Sequence, residues 1–267
     1  VQSWAPAAVE AQAVAARTYA MDAMNQSKGQ AYDVEPTTSS QVYAGKSGEA
    51  ASTNRAVEAT RGIVMTYGGQ PIDALFHSDG GSYTEHAVNV CGNDMPYLKG
   101  VKDYANNAGT TTWVETTSRT AMEAKLRAAG KDVGTLKRIE LSGLKQGPMR
   151  VPDRGISGRL KSATFVGQGN KKVTVSGEYL LSIFGLKSTL FDFYVGHTPP
   201  ASENGSVYHT FSNNNDVVYI KGHGWGHGLG LSQWGAAEMA RQHQGQANYY
   251  QTILKHYYTG IHLVKMY

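Results

Sequence analysis

The chain has 267 residues, 40% of them hydrophobic, enough to bury one large core or two modest ones, which excludes a disordered chain. Lys and Arg number 25 against 21 Asp and Glu, a formal net charge of +4, but the charges are scattered. That excludes the basic runs of a nucleic-acid arm, while the mild positive balance suits other polyanions. Cys91 is the single cysteine, so an intrachain disulfide and a zinc site built on several thiolates are excluded. No stretch has the apolar length of a membrane span, and Val1-Gln2-Ser3-Trp4 lacks the start of a signal peptide. The helical pattern begins almost at once, as if an upstream segment had been removed, and membrane anchoring is expected only through such a segment.

Pro6 to Met24 is rich in Ala, Val, Met and Gln, with Pro6 where a first helical turn tolerates it, and predicts a first helix with Ala11, Ala15 and Ala16 as contact points. A short helix is expected over Asn54 to Thr60. A strand from Ile63 to Tyr67 turns at Gly68-Gly69 into a second strand over Ile72 to Phe76. Ser118 is placed to cap a third helix that runs through Ala129 and ends at Gly130. Leu136 to Val175 alternates apolar and polar residues between Gly turns and predicts antiparallel sheet. A short helix over Tyr179 to Phe184, a strand over Val217 to Ile220, and helices from Ser232 through Arg241 and from Tyr249 to Tyr257 complete the reading. Thr198 to Asn215 is expected to be an exposed excursion. The fold class is α+β, with mixed or antiparallel sheets and several helices around a cleft.

Two loops carry chemistry. The segment from Gly222 to Gln233, GHGWGHGLGLSQ, has glycines at alternate positions, which permit positive φ and close approach to the backbone. It opens onto a helix N-terminus that Ser232 is placed to cap, a setting suited to an anion or a sugar hydroxyl. It lacks the Gly-Lys-Ser/Thr ending of a phosphate loop and the spacing of a dinucleotide fingerprint. The alternative is that the glycines only turn a strand sharply, with His223 and His227 filling gaps. Two histidines four apart raise zinc, but the helix and Glu of a metalloprotease motif are missing.

The second loop, His77-Ser78-Asp79-Gly80-Gly81, precedes Thr84-Glu85-His86 and Cys91. Adjacent residues on an extended strand face opposite ways, which disfavours a Ser-His-Asp triad. His77, His86 and Cys91 are the place where a metal-dependent hydrolase would hold its ion, but no metal and no cofactor is expected. On the first helix, Glu10 and Arg17 share a face with Ala7 and Val14, while Gln12, Ala16 and Tyr19 lie on another; a solvated ion pair is the plain reading of Glu10 and Arg17.

These segments occur together and in order, and here the chain resembles the stage II sporulation protein D family, which includes amidase-enhancer domains. The resemblance rests on SWAPAAVEAQAVAARTYA from Ser3 to Ala20, QVYAG from Gln41, AVEATRGIVMTY from Ala56, FHSDGG from Phe76, PYL from Pro96, FGLKSTLF from Phe184, GHGWGHGLGLSQWGA from Gly222 and ILKHYY from Ile253. It spans nearly the whole chain and implies a single domain over residues 1–267, with a sub-domain at about 105–200.

The resemblance implies a lytic transglycosylase that cleaves MurNAc–GlcNAc bonds in peptidoglycan strands stripped of stem peptides, leaving 1,6-anhydro products. One carboxyl group can serve both steps, so the two-carboxylate arrangement of ordinary glycoside hydrolases is unnecessary. In the family pattern this acid is a Glu in a run resembling Glu-Ala-Leu-Lys-Ala-Gln. Aligned without gaps, Gln12 matches the Gln, Glu10 the Lys, and Ala7 falls on the Glu. Glu10 is no substitute, because three residues along a helix rotates the side chain and lifts it by about 4.5 Å. The chain is then either an enzyme inactivated by a Glu-to-Ala change, which the intact remaining segments favour, or a non-catalytic glycan-binding amidase enhancer.

The expected sugar-binding residues are Gln12, Arg17, Tyr19, Tyr43, His77, Ser78, Gly80, Gly81, His223, Trp225, His227, Ser232 and Gln233, with Trp225 or Tyr43 stacking on a sugar face. Glycan strands and a cell-wall amidase are the implied partners. The implied location is extracytoplasmic, in the wall, periplasm or intermembrane space.

Overall fold

The computed structural model describes residues 2–105 and 111–267. Helix α1 (Pro6–Gln26) is longer than its sequence pattern by two residues and starts with Pro in its first turn. It buries Ala8, Ala11, Val14, Ala15 and Thr18, whereas Ala16 stays partly exposed. Small side chains let neighbours approach this helix closely. Thr18 Oγ1 accepts the Met65 N–H at 3.0 Å while donating to the Val14 carbonyl at 2.7 Å, which ties α1 to the first strand. Helix α2 (Ala51–Ala59) leads into β1 (Ile63–Tyr67), which turns at Gly68 and Gly69, both at positive φ, into β2 (Gln70–Pro71). The strand expected over Ile72 to Phe76 is not formed there; only β3 (Phe76–His77) is extended and paired. Pro71 lacks a ladder donor, which limits continuation of the hairpin.

The middle of the chain holds α3 (Ala87–Val90), β4 (Thr112–Ser118), α4 (Arg119–Ala128), β5 (Leu136–Glu140), β6 (Ser162–Gly167), β7 (Lys172–Ser176), α5 (Gly177–Phe184) and β8 (Phe191–Val195). Ser118 and Ser176 cap α4 and α5 by accepting the Ala121 and Tyr179 N–H groups, each at 3.2 Å. The last part comprises β9 (Val217–His223), β10 (Leu231–Ser232), α6 (Gln233–Gln242), α7 (Tyr249–Tyr257) and β11 (His262–Lys265). Strands pair antiparallel in the orders β11-β1-β2, β4-β9-β8 and β5-β6-β7, while β10 and β3 pair in parallel. The α+β reading therefore holds.

Two main apolar clusters form. The first joins Val14 and Ala15 of α1, Met65 of β1 and Ile253, Leu254, Tyr257 and Tyr258 at the C-terminal end. The second gathers Met122, Leu126, Phe165, Phe193, Val218 and Ile220 from the middle elements and β9. Phe193 sits edge-on to Phe165 and to Phe191 at 6.0 and 5.3 Å, a favoured geometry for aromatic pairs. The start of the expected sub-domain adjoins residues 106–110, which lie outside the described residues.

The excursion expected over Thr198 to Asn215 is pinned in several places. His209 is buried against Asp192 at 2.8 Å, and Lys221 Nζ donates to the Pro200 and Ala201 carbonyls. Buried polar groups need such partners, which is why this segment packs without regular structure.

Candidate functional site

Ala7 lies in the first turn of α1, half-buried, on the wall of a groove of about 620 Å³. Trp4, Pro6, Glu10, His243, Gln244 and Asn248 also line it. Glu10 is the one acid on this groove among the described residues, and no described residue pairs with its carboxylate. Burial raises its pKa above the ordinary carboxylate value.

The two Gly-containing loops are locked together at the N-terminal end of α6. Asp79 and Trp225 exchange backbone hydrogen bonds at 3.1 and 2.9 Å, and β3 pairs with β10 so that His77 stands opposite Ser232. The Ser78 carbonyl accepts the Trp234 N–H at 3.0 Å. Ser232 Oγ accepts Gly235 N–H at 3.3 Å as the α6 cap and Gly80 N–H at 3.2 Å. Close contact needs the glycines. A Cβ on Gly230, at φ +64°, would fall 2.0 Å from the Leu75 carbonyl oxygen, and one on Gly228 would fall 2.1 Å from Arg159 Nε.

The His77 and His227 rings meet at 5.4 Å between centroids with planes tilted by 57°, and each spends a ring nitrogen on a backbone carbonyl, Leu229 at 3.0 Å and Phe76 at 3.1 Å. Burial, then the neighbouring positive groups, hold His77 well below the ordinary imidazole value and His227 down to about 4. Both rings are neutral at pH 7. Arg159, 2% exposed, donates to the Gly226 carbonyl at 2.9 Å from beneath the loop.

His223 turns away from this pair. Its Nε2 meets Glu203 at 2.5 Å beside Lys221, and burial of Glu203 is outweighed by the His223 hydrogen bond and the Lys221 ammonium, which pull its pKa to about 2. Trp225 is 52% exposed, with the Lys187 ammonium 5.2 Å from its ring centroid.

The structure thus brings His77, Ser78, Gly80, Gly81, Trp225, His227 and Ser232 into one cluster. Gln233 joins it to α1 by donating to Gln12 Oε1 at 3.1 Å. Arg17 is spent elsewhere: its guanidinium donates to the Thr60 and Ile63 carbonyls at 2.8 and 2.9 Å and closes the C-terminal end of α2. It makes no ion pair with Glu10, because those carbonyls take its donors. Tyr19 packs against the first core, and Tyr43 is 67% exposed on an irregular segment held to α1 through Gln41 and the Ala16 carbonyl.

The Ser-His-Asp grouping forms no relay: the Asp79 carboxylate accepts the Gly81 and Thr111 N–H groups, while His77 Nδ1 faces Leu229. His86 Nδ1 accepts the Gly100 N–H and the Cys91 thiol points to the Ala87 carbonyl. Among the described residues no three His, Cys, Asp or Glu side chains converge as metal ligands.

Sequence reasoning missed Asp103, Arg159 and the Trp4–Trp234 pair, and named Glu85 without giving it its structural role. Glu85 accepts from Asn89, Ile156 and Ser157, knitting the loop cluster to the middle elements. Asp103 accepts Gly80 N–H at 3.1 Å and the Tyr257 hydroxyl at 2.7 Å. The one local signal for Asp103 is Gly235 inside a helix, where a Cβ would lie 1.9 Å from Asp103 Oδ1.

Comparison with known proteins adds the following. Residues 1–67 match the family model described as Stage II sporulation protein. The chain is 31% identical over 285 residues to the amidase enhancer of Bacillus subtilis, covering 97% of this chain and 38% of that protein. It is 30% identical over 276 residues to stage II sporulation protein D of Bacillus amyloliquefaciens, covering 96% and 68%. An uncharacterized protein of Brachyspira hyodysenteriae is 32% identical over 264 residues, covering 98% and 62%. The chain spans well under two thirds of the amidase enhancer and somewhat under two thirds of the Brachyspira protein.

Proposed function

Because the chain belongs to the stage II sporulation protein D family, we propose that it is a peptidoglycan lytic transglycosylase domain for stem-peptide-free glycan strands, in which Ala7 stands where the acid is needed. The observation that carries this reading is the placement of Ala7 on the wall of a groove of about 620 Å³, within the about 300–1,000 Å³ typical of ligand clefts. A carboxyl group at this position would protonate the glycosidic oxygen as the bond to the anomeric carbon breaks. As carboxylate it would then take the C6 hydroxyl proton while that oxygen bonds to the anomeric carbon. No water is consumed.

Glu10 lies one helical turn away, where Cβ atoms are about 5–6 Å apart, too far to serve the same reacting atoms. The chain as it stands is therefore expected to hold glycan without cleaving it. His77 and His227 are neutral and backbone-bound, which supports a role in shaping the loops rather than in proton transfer. The site of action on this reading is outside the cytoplasm, where such strands occur.

A second reading, a non-catalytic domain that binds glycan and promotes a wall amidase, is favoured by the likeness to the Bacillus subtilis amidase enhancer. Digestion of stem-peptide-free strands by the chain and by Ala7→Glu, with mass spectrometry for 1,6-anhydro products, separates the two. Products from Ala7→Glu alone support the transglycosylase; silence from a folded Ala7→Glu, with stimulation of an amidase by the unaltered chain, favours the enhancer.

A further inference from the structure

The Ala7 groove does not end at α1. A second hollow of about 480 Å³ shares Ser3, Trp4, Ala5 and Gln244 with it and continues along α6 past Trp234, Ala237 and Arg241. At the junction the Trp4 and Trp234 rings meet at 5.0 Å between centroids with planes tilted by 59°. Trp234 remains 38% exposed, and its backbone is held by the Ser78 carbonyl, so the ring rides on a fixed helix. An indole kept partly in water beside a cleft presents an apolar face to whatever passes along it.

Polar side chains alternate with these rings: Ser3, Gln244, His243 and Asn248 line the floor. The Arg241 guanidinium at the rim is held as a fork on Glu238, with both hydrogen bonds at 2.7 Å, so neither group is a free charge. A continuous trough with an aromatic wall, hydrogen-bonding side chains and one free carboxylate suits a neutral, hydroxyl-rich chain with alternating apolar and polar faces. An extended N-acetylhexosamine polymer has that chemistry.

We infer that the sugar-binding track runs from Ala7 over the Trp4–Trp234 wall, with Trp234 as the stacking residue, and not over Trp225 or Tyr43. Trp225 stands on the other loop under Lys187 and lines neither hollow. Gln12 and Gln233 are already paired to each other and act as a strut between α1 and α6. This assignment rests on the glycan reading above and specifies where the strand lies.

The test is titration of the chain with N-acetylglucosamine oligomers, followed by tryptophan fluorescence and by calorimetry. Trp234→Ala is expected to weaken binding about tenfold. Trp234→Phe, which keeps a ring, is expected to bind within about threefold of the parent with a reduced fluorescence change, that of Trp4 remaining. Trp225→Phe is expected to keep both. Binding that is unaffected by either Trp234 substitution, with the fluorescence change lost in Trp225→Phe, overturns the track and leaves the glycan reading standing. No binding by the folded parent chain overturns both.

Discussion

Removing the Asp103 carboxylate tests whether the loop cluster is held from behind by one buried acceptor. Asp103 is 4% exposed and accepts the Gly80 N–H at 3.1 Å, the Tyr104 N–H at 2.7 Å and the Tyr257 hydroxyl at 2.7 Å. In Asp103→Ala the Gly80 N–H keeps Ser232 Oγ at 3.2 Å, but the Tyr257 hydroxyl and the Tyr104 N–H lose this acceptor. Each group left without a partner costs about 1–3 kcal/mol, so the pair predicts a loss of about 2–6 kcal/mol. Tyr257→Phe removes one donor and leaves the carboxylate its backbone partners, so its cost is about 1 kcal/mol. Urea unfolding followed by circular dichroism measures both, with an unchanged m-value showing that stability alone moved. A loss under about 1 kcal/mol for Asp103→Ala would refute the reasoning, because the two donors would then have found other partners.

Asp73, half-buried and near Asp22, has its pKa raised from 3.8 to about 6, first by burial and then by that like charge. The folded state holds this proton more tightly than the unfolded chain, so its contribution is most favourable at low pH and is lost as pH rises from about 4 through about 6. Asp73→Asn should therefore gain at most about 3 kcal/mol at pH 7 and flatten this slope; a less stable variant at pH 7 contradicts the assignment. His227 acts in the opposite sense: its stability is full above about 6.5 and is lost as pH falls toward about 4, so the parent and Asp73→Asn are compared across the same range. Gly230→Ala combines a positive φ with a Cβ 2.0 Å from the Leu75 carbonyl and should cost more than about 3 kcal/mol, read as a fall in thermal midpoint. A near-normal midpoint would show that the β3–β10 approach can relax.

Much of the local structure was legible in the residues. Helix α7 follows its pattern from Tyr249 to Tyr257, β1 from Ile63 to Tyr67, and Ser118 and Ser232 cap the helices they precede. Period, caps and glycine turns act within a few residues, so they survive in the one-dimensional text. The Ile72 to Phe76 strand failed because its apolar residues fill the first core without a ladder partner, and burial alone does not distinguish a strand from an irregular packed segment. Family membership was likewise carried by short ordered segments.

The site was decided by the tertiary structure. Gln12 meets Gln233 across 221 positions, Gly80 meets Ser232 across 152, and Asp103 meets Tyr257 across 154. Residue type alone made Arg17 a sugar ligand and left Trp234 unremarked. Packing of α1 against α2 gave the guanidinium to backbone carbonyls, while packing against α6 set Trp234 against Trp4, which lines the groove with Ala7. Which donors are consumed by the fold and which remain for a ligand depends on partners far away in the chain, and only the folded arrangement assigns them.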